Sequence, residues 1–194
     1  CDQDDVWMEH KVELFLQSIK KEETLHSEMP ILMFSDQTIC DQNLRVMTTS
    51  QWKKLHINPW LFSSYNYVCV NCIIAGANTI FNYQTKKLIF PLVKNELYYD
   101  HWIAINVSRQ GWIGVIDMPL RYYRLHKEQV LGTSLDSSLQ HFSGIKKIIS
   151  QLKYYQNDIR MLKAVGYKSG CNFYLYKFLS YLVRMPVFYR MLVK

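Results

Sequence analysis

Glycine and proline, the residues that most often interrupt regular structure, are scarce in this sequence. There are seven Gly and five Pro in 194 residues, and they form no Gly-rich or Pro-rich segment. This composition argues against a long flexible linker or a low-complexity region. The length suits one domain, with or without a short extension, and is sufficient to bury a substantial core.

The sequence also lacks the short motifs of several enzyme classes. It has no Gly-rich phosphate loop followed by Lys and Ser or Thr, no GxSxG nucleophile elbow and no HExxH segment. The six His are dispersed along the chain. We therefore expect neither a metal ion nor a cofactor.

A concentrated basic surface is likewise missing, although the protein is basic. Lys and Arg outnumber Asp and Glu by 23 to 16, which gives a formal net charge of +7. Lys and Arg are adjacent at most in pairs, and the pair Lys20-Lys21 is followed at once by Glu22-Glu23, so no basic stripe of a nucleic-acid reader is formed. The uncharged stretch at residues 65–83 contains four Asn and does not fit a membrane span. A basic protein still attracts acidic partners, but we expect neither nucleic acid nor membrane among them.

Cysteines are few, and their number is odd. An odd number at irregular spacing argues against a disulfide framework and for a reducing compartment, nucleus or cytoplasm. No signal peptide is visible, and Cys1 suggests that the true start is missing. The CxxC spacing of Cys69 and Cys72 lies inside an apolar helical pattern, which favours core packing over a zinc site. The five are Cys1, Cys40, Cys69, Cys72 and Cys171.

Apolar residues recur at helical spacing near the start of the chain, within residues 5–24. We interpret residues 1–28 as an N-terminal helical extension that offers a surface to a further protein partner, and residues 29–194 as the main domain. The remaining expected elements are a strand at 31–34, a short helix capped by Thr49, a helix from Ser63 or Ser64 to about 78, strands at 88–93, 102–107 and 112–117, and helices at 134–155 and 171–184. Strands in the middle of the chain with helices on both sides predict an α+β fold.

Cys171 is the first candidate for chemistry. It follows Gly170 and directly precedes an apolar helical pattern. A thiol at a helix N-terminus feels the positive end of the helix dipole, which favours the nucleophilic thiolate. The alternative is that Cys171 is a small buried hydrophobic residue, as most cysteines are.

His101 and Asp117 are the next candidates. The segment 109–111, Arg-Gln-Gly, is typical of a hairpin turn and lies between the two strands predicted at 102–107 and 112–117. Such a hairpin would bring His101 and Asp117 to the same end, where Asp117 could hold the imidazole in the tautomer that a Cys-His-Asp triad requires. The alternatives are a surface histidine and a turn residue before Pro119.

In their order along the chain, these residues resemble the proteases specific for SUMO and related ubiquitin-like proteins, and more distantly the adenovirus-type proteases. The resemblance is carried by Trp60-Leu61, by Pro91-Leu92-Val93, by His101-Trp102 with a following strand ending in Asp117, and by residues 170–173, Gly-Cys-Asn-Phe, leading into a helix. It covers about residue 31 to the end of the chain. It implies a papain-like, adenain-like fold, with a small central mixed sheet flanked by helices and the nucleophile at the N-terminus of a buried helix.

The resemblance also implies a function and a site. Cys171 would be the nucleophile, His101 the general base and Asp117 the residue that orients it. Trp60 and Trp102 would line the tunnel that holds the C-terminal Gly-Gly of SUMO or another ubiquitin-like modifier. Flat indole rings sandwich a glycine strand and exclude side chains.

Three positions depart from the family pattern. Val165 stands where the family has a Gln that stabilises the oxyanion, and Gly170 and Asn172 replace the residues on either side of the cysteine. Loss of one oxyanion donor costs about 10²–10³ in rate. Two alternatives therefore stay open: a catalytically impaired protease-like module that binds a modifier or another protein, and an acetyltransferase of the same clan.

Overall fold

The computed structural model describes residues 5–70, 72–90 and 99–125, together with residues 156, 159, 160, 162, 163 and 166. The chain divides into two compact units, residues 1–127 and 128–194. The helices and strands given below belong to the first unit. The helices predicted at residues 134–155 and 171–184 lie outside the described residues.

A mixed sheet forms the centre of the first unit. Its long strand β2 pairs with β5 in parallel, and with β3 and β4 in antiparallel orientation. β1 is antiparallel to β5 and lies at the edge of the sheet. The strands are β1 Val6–Trp7, β2 Ile31–Cys40, β3 Val46–Thr48, β4 Thr79–Phe81 and β5 Trp112–Arg124.

All ten residues of β2 are buried, although only part of the strand is apolar. Its apolar half contains the strand predicted at 31–34. Its polar half, Ser35 to Thr38, stays buried because side chains from distant segments bond to it, as described below. The register with β5 shifts on both sides of Asp36, where Pro119 is the partner. Proline lacks the N–H that a regular ladder uses, so it is found at such irregular positions.

Five α-helices surround the sheet within the described residues. They are α1 Lys11–Leu25, α2 Gln51–Lys54, α3 Tyr65–Val70, α4 Tyr83–Ile89 and α5 Tyr99–Gln110, with 3-10 turns at Pro59–Ser63 and Gly76–Asn78. Side-chain oxygens cap several of them: Ser50 accepts from the main-chain N–H of Lys53, and Asn82 accepts from that of Thr85. The expected α+β class is confirmed. The cap of the short helix α2 is Ser50, and not Thr49 as predicted.

The helix predicted at residues 5–24 contributes to the central core. Phe15 and Ile19 of α1 pack with Ile31, Met33 and Ile116 of the two parallel strands. β1, just before this helix, adds an edge strand to the same sheet. In the first unit the segment interpreted as an extension therefore covers one part of the sheet.

Three predicted elements differ from the structure. Residues 102–107 lie in helix α5 and not in a strand, because a short apolar run fits a buried helix as well as a buried strand. Residues 88 and 89 end helix α4, which stops before the residue that precedes Pro91. The helix predicted to reach residue 78 ends at Val70, and residues 76–78 form a separate 3-10 turn.

Candidate functional site

His101 is buried in the first turn of α5, with 6% of its surface exposed. Its Nε2 atom lies 2.7 Å from the main-chain oxygen of Val68. A carbonyl oxygen can only accept, so Nε2 carries a proton in this contact. A ring that is neutral in this contact is the Nε2–H tautomer.

The neighbouring elements fix the position of this imidazole. The carboxylate of Asp100 accepts from the main-chain N–H of His101 at 2.8 Å and from that of Gly76 at 3.4 Å. Val68 and Cys69 of α3 are fully buried, as are Ala104 and Ile105 of α5. The ring is therefore attached to a packed helix pair and not to a mobile surface loop.

Asp117 lies in β5 as predicted, but the geometry that would bring it to His101 is not formed. Its side chain is exposed, while that of the preceding Ile116 faces the core, as the alternation of a strand requires. The side chain of Asp117 forms no hydrogen bond with a described residue. The hairpin predicted around residues 109–111 is wrong, because α5 occupies the place of its first strand.

The two tryptophans assigned to substrate binding lie in different environments. Trp60, in the 3-10 turn Pro59–Ser63, is 57% exposed, whereas Trp102 of α5 is 8% exposed. Within the described residues no ring contact joins the two indoles. The Nε1 atom of Trp102 is buried without a hydrogen-bond partner in the same part of the chain.

The remaining predicted site positions cannot be placed beside His101. Cys171 and its neighbours Gly170 and Asn172 lie outside the described residues, and so does Val165. Among the proposed catalytic residues, His101 and Asp117 belong to the helices and strands described above.

Cys69 and Cys72 do not form a metal site with other described residues. Neither cysteine is in a disulfide bond with a described residue, and Cys69 is fully buried in α3. No group of three or more metal-ligating side chains occurs in the described ranges. Cys69 is a core residue, as its position in an apolar pattern indicated.

The structure contains a buried polar cluster on β2 that was not part of the site predicted from the sequence. Asp36 accepts from the main-chain N–H of Gln37 at 2.7 Å and from that of Trp52 at 3.2 Å, and also from the Ser50 hydroxyl. The Asn78 amide donates to the main-chain oxygens of Asp36, at 2.6 Å, and Ser35, at 2.9 Å. These contacts explain why a polar strand segment is buried at all.

Two basic side chains lie in the same buried region. Arg121 donates to the Gln37 side chain at 2.6 Å and pairs with Asp5. Lys11 donates to the main-chain oxygen of Ala77 at 2.8 Å, and its ammonium lies 4.6 Å from the centroid of the Trp7 ring. Burial, with a further contribution from Arg121, lowers the pKa of Lys11 to about 8. The only sequence signal for this cluster was a run of polar residues directly after an apolar strand.

Comparison with known proteins does not assign this chain to a family. No family model matches the chain, and no curated protein matches it. Across the described ranges, no helix is both long enough and apolar enough to cross a bilayer.

Proposed function

We propose that this protein is a thiol peptidase that cleaves after the C-terminal glycine of SUMO or another ubiquitin-like modifier. One observation carries the proposal: Trp60, His101-Trp102, Asp117 and Gly170-Cys171 occur in the order in which the ubiquitin-like-protein proteases carry their site residues. In this proposal the α+β fold is of the papain-like type, and the protein acts in the nucleus or cytoplasm.

The structure supports the role of His101 as the base. A general base must be held in a defined orientation, and the contact of Nε2 with Val68 holds the imidazole of His101 in one orientation. The exposed indole of Trp60 is accessible to a protein substrate, and the net charge of +7 favours an acidic modifier.

The chemistry follows from a cysteine and a histidine. His101 takes the proton of the Cys171 thiol, and the thiolate attacks the carbonyl carbon of the C-terminal glycine. The C–N bond breaks as the imidazolium gives its proton to the departing lysine amine. A thioester remains, which water hydrolyses with His101 as the base, and this step restores the thiol.

Cleavage of a modifier fused through its C-terminal glycine tests the proposal. Wild type should release the free modifier, and Cys171→Ala and His101→Ala should each abolish release. Cys72→Ala is the matched control, because it removes a cysteine that lies outside the proposed pair. Release that survives Cys171→Ala would exclude the proposed nucleophile.

A second function, a binding module without useful turnover, is favoured by Val165. This side chain has no donor for the oxyanion at the position where the family has Gln. Such a module would bind a modifier equally well as wild type and as Cys171→Ala, and neither protein would cleave it. Binding measured by calorimetry alongside the cleavage assay separates the two functions.

A further inference from the structure

Acidic residues are distributed very unevenly along the chain. Although the sequence has 16 Asp and Glu residues, none of them lies between Asp41 and Glu96. The first part of this interval, residues 42–55, belongs to the described residues and contains Arg45, Lys53 and Lys54. The charged side chains that this segment contributes to the protein surface are therefore all positive.

The structure attaches this segment to one part of the sheet, the C-terminal half of β2. β3 pairs with the last two residues of β2, and the main-chain oxygen of Thr49 accepts from the hydroxyl of Thr38 at 3.0 Å. At the start of α2, the side chain of Gln51 accepts from that of Gln37 at 3.0 Å. The strand β3 and the helix α2 are therefore held beside the same half of one strand.

The exposed side chains of this segment are apolar as well as basic. Arg45, Lys53 and Lys54 are exposed, and within the described ranges none of the three belongs to an ion pair. Four large apolar side chains are exposed by between 41% and 52%, namely Leu44, Val46, Met47 and Leu55. These basic and apolar residues together form what we call the β3–α2 surface. An exposed apolar patch with charged residues around it marks an interaction site.

The turn that leads into β3 holds its part of this surface in a defined shape. The carboxylate of Asp41 accepts from the main-chain N–H groups of Asn43 at 2.8 Å and Arg45 at 2.9 Å. The main-chain N–H of Asp41 donates to the oxygen of Arg45 at 3.0 Å, and Leu44 has a φ of 61°. Leu44 is thus presented at the tip of a hydrogen-bonded turn.

Two properties of the β3–α2 surface select the kind of partner that fits it. Its exposed apolar side chains are all non-aromatic, whereas proteins that bind single-stranded nucleic acid stack the bases on aromatic rings. β3 is short, and its register with β2 shifts between the last two residues of β2. Short, bulged and basic edge strands resist the addition of a further strand, which argues against an extended peptide.

We propose that the β3–α2 surface binds a bilayer that contains anionic lipids. Lys and Arg are attracted to the acidic headgroups, and the apolar side chains enter the boundary between headgroups and acyl chains. Binding of this kind needs no spanning segment, which is the membrane contact that residues 65–83 do not fit. The surface contains none of the residues assigned to the peptidase, so the proposal does not depend on that function.

Sedimentation of the full chain with vesicles tests the contribution of charge. We expect binding to vesicles of phosphatidylcholine with phosphatidylserine, weakened by high salt, and none to phosphatidylcholine alone. The double variant Lys53→Gln, Lys54→Gln should bind about 10- to 30-fold more weakly, because it loses two basic side chains at the anionic surface. The matched control is Lys20→Gln, Lys21→Gln, which removes the same charge from an exposed part of α1. Its affinity should fall by less than about threefold.

The same assay tests the contribution of the apolar side chains. The double variant Met47→Ser, Leu55→Ser should bind at least about tenfold more weakly, because it removes apolar surface that the bilayer would bury. Val12→Ser, Leu16→Ser is the matched control, since both of these side chains are exposed on α1 to a similar extent. This control should bind as wild type does. Circular dichroism of each variant verifies that the fold is retained.

Three results would overturn the proposal. The first is that wild type does not sediment with vesicles that contain phosphatidylserine. The second is that each control variant loses as much affinity as its partner, because the binding would then not be located at the β3–α2 surface. The third is that single-stranded RNA binds in place of the vesicles and that Lys53→Gln, Lys54→Gln weakens this binding, which would assign the surface to nucleic acid.

Discussion

In the folded chain the imidazole Nε2 of His101 donates to the main-chain oxygen of Val68 over 2.7 Å. The bond joins the first turn of α5 to the last turn of α3 across 33 positions of sequence. This hydrogen bond gives the carbonyl group of Val68, at the end of α3, a donor, and it also holds the His101 ring in place. A residue singled out for its chemistry is therefore also part of the structure that holds the two helices together.

The buried ammonium of Lys11 predicts a dependence of stability on pH. Its pKa is lowered from 10.5 to about 8 in the folded protein, mainly by burial. The folded state thus binds this proton less well than the unfolded state. Its contribution to the free energy of unfolding is least favourable below pH 8 and increases as the pH rises toward 10.5.

Urea unfolding at several pH values between 7 and 10.5 measures this contribution. The difference between Lys11→Met and wild type should change by on the order of 1–3 kcal/mol across that range, with the wild type gaining relative to the variant as the pH rises. Lys20→Met is the control on the same helix, because Lys20 is exposed. Parallel pH profiles for wild type and Lys11→Met would contradict the prediction.

The carboxylate of Asp36 is expected to stabilise the fold much more than that of Asp41. Each accepts from two main-chain N–H groups, but the contacts of Asp36 are buried and those of Asp41 are exposed. Asp36→Ala leaves buried donors without an acceptor and should cost about 2–5 kcal/mol. In Asp41→Ala water replaces the carboxylate, so the loss in chemical denaturation should be at most about 1 kcal/mol. Equal losses would show that the polar half of β2 does not depend on Asp36.

Gly111 should not tolerate a side chain. A Cβ atom at this position would overlap the main-chain oxygen of Pro30, which already accepts from the N–H of Trp112 at 2.8 Å. Gly111→Ala should therefore cost about 1–3 kcal/mol through the backbone shift that it forces. A Cβ at Gly114 would meet the flexible end of Met33 instead, so Gly114→Ala should lower the melting temperature less. The opposite ranking would contradict the close approach of Gly111 to Pro30.

Trp102 carries a buried N–H that finds no acceptor among the described residues. An unsatisfied buried donor costs about 1–3 kcal/mol. Trp102→Phe removes that donor while it keeps most of the apolar ring, so the free energy of unfolding should change by less than about 1 kcal/mol. Trp102→Ala loses the ring and should cost about 3–5 kcal/mol. A large loss in the Phe variant would indicate that Nε1 is bonded after all.

The sequence was sufficient for features that depend on local pattern. The apolar run at Ile31 to Phe34 and the strand that begins at Trp112 were both expected, as was α1. The run from Trp102 to Val107 was predicted to be a strand but is helical, because short apolar segments fit a buried helix and a buried strand about equally well. The parallel pairing of β5 with β2, in place of a hairpin with residues 102–107, is not a local property of the sequence.

Long-range partners account for the rest of what the sequence missed. The polar half of β2 depends on Arg121, which lies 84 positions from its partner Gln37, and on Asn78, 42 positions from Asp36. For the candidate site, His101 is proposed as the base from the sequence. Its acceptor could not be predicted, because any of the main-chain carbonyl groups is a candidate until α3 and α5 are packed together.

The central claim, that Cys171 is a nucleophile served by His101, is tested most directly by a modifier that carries an electrophile at its C-terminal glycine. SUMO, ubiquitin and the ubiquitin-like NEDD modifier prepared in this way are each incubated with wild type, His101→Ala and Cys72→Ala, and the adducts are located by mass spectrometry. The account predicts that at least one probe forms a covalent adduct at Cys171 in wild type and in Cys72→Ala, and that His101→Ala loses it. Alkylation of Cys171 by a small reagent, with no adduct from any of the three modifiers, would contradict it.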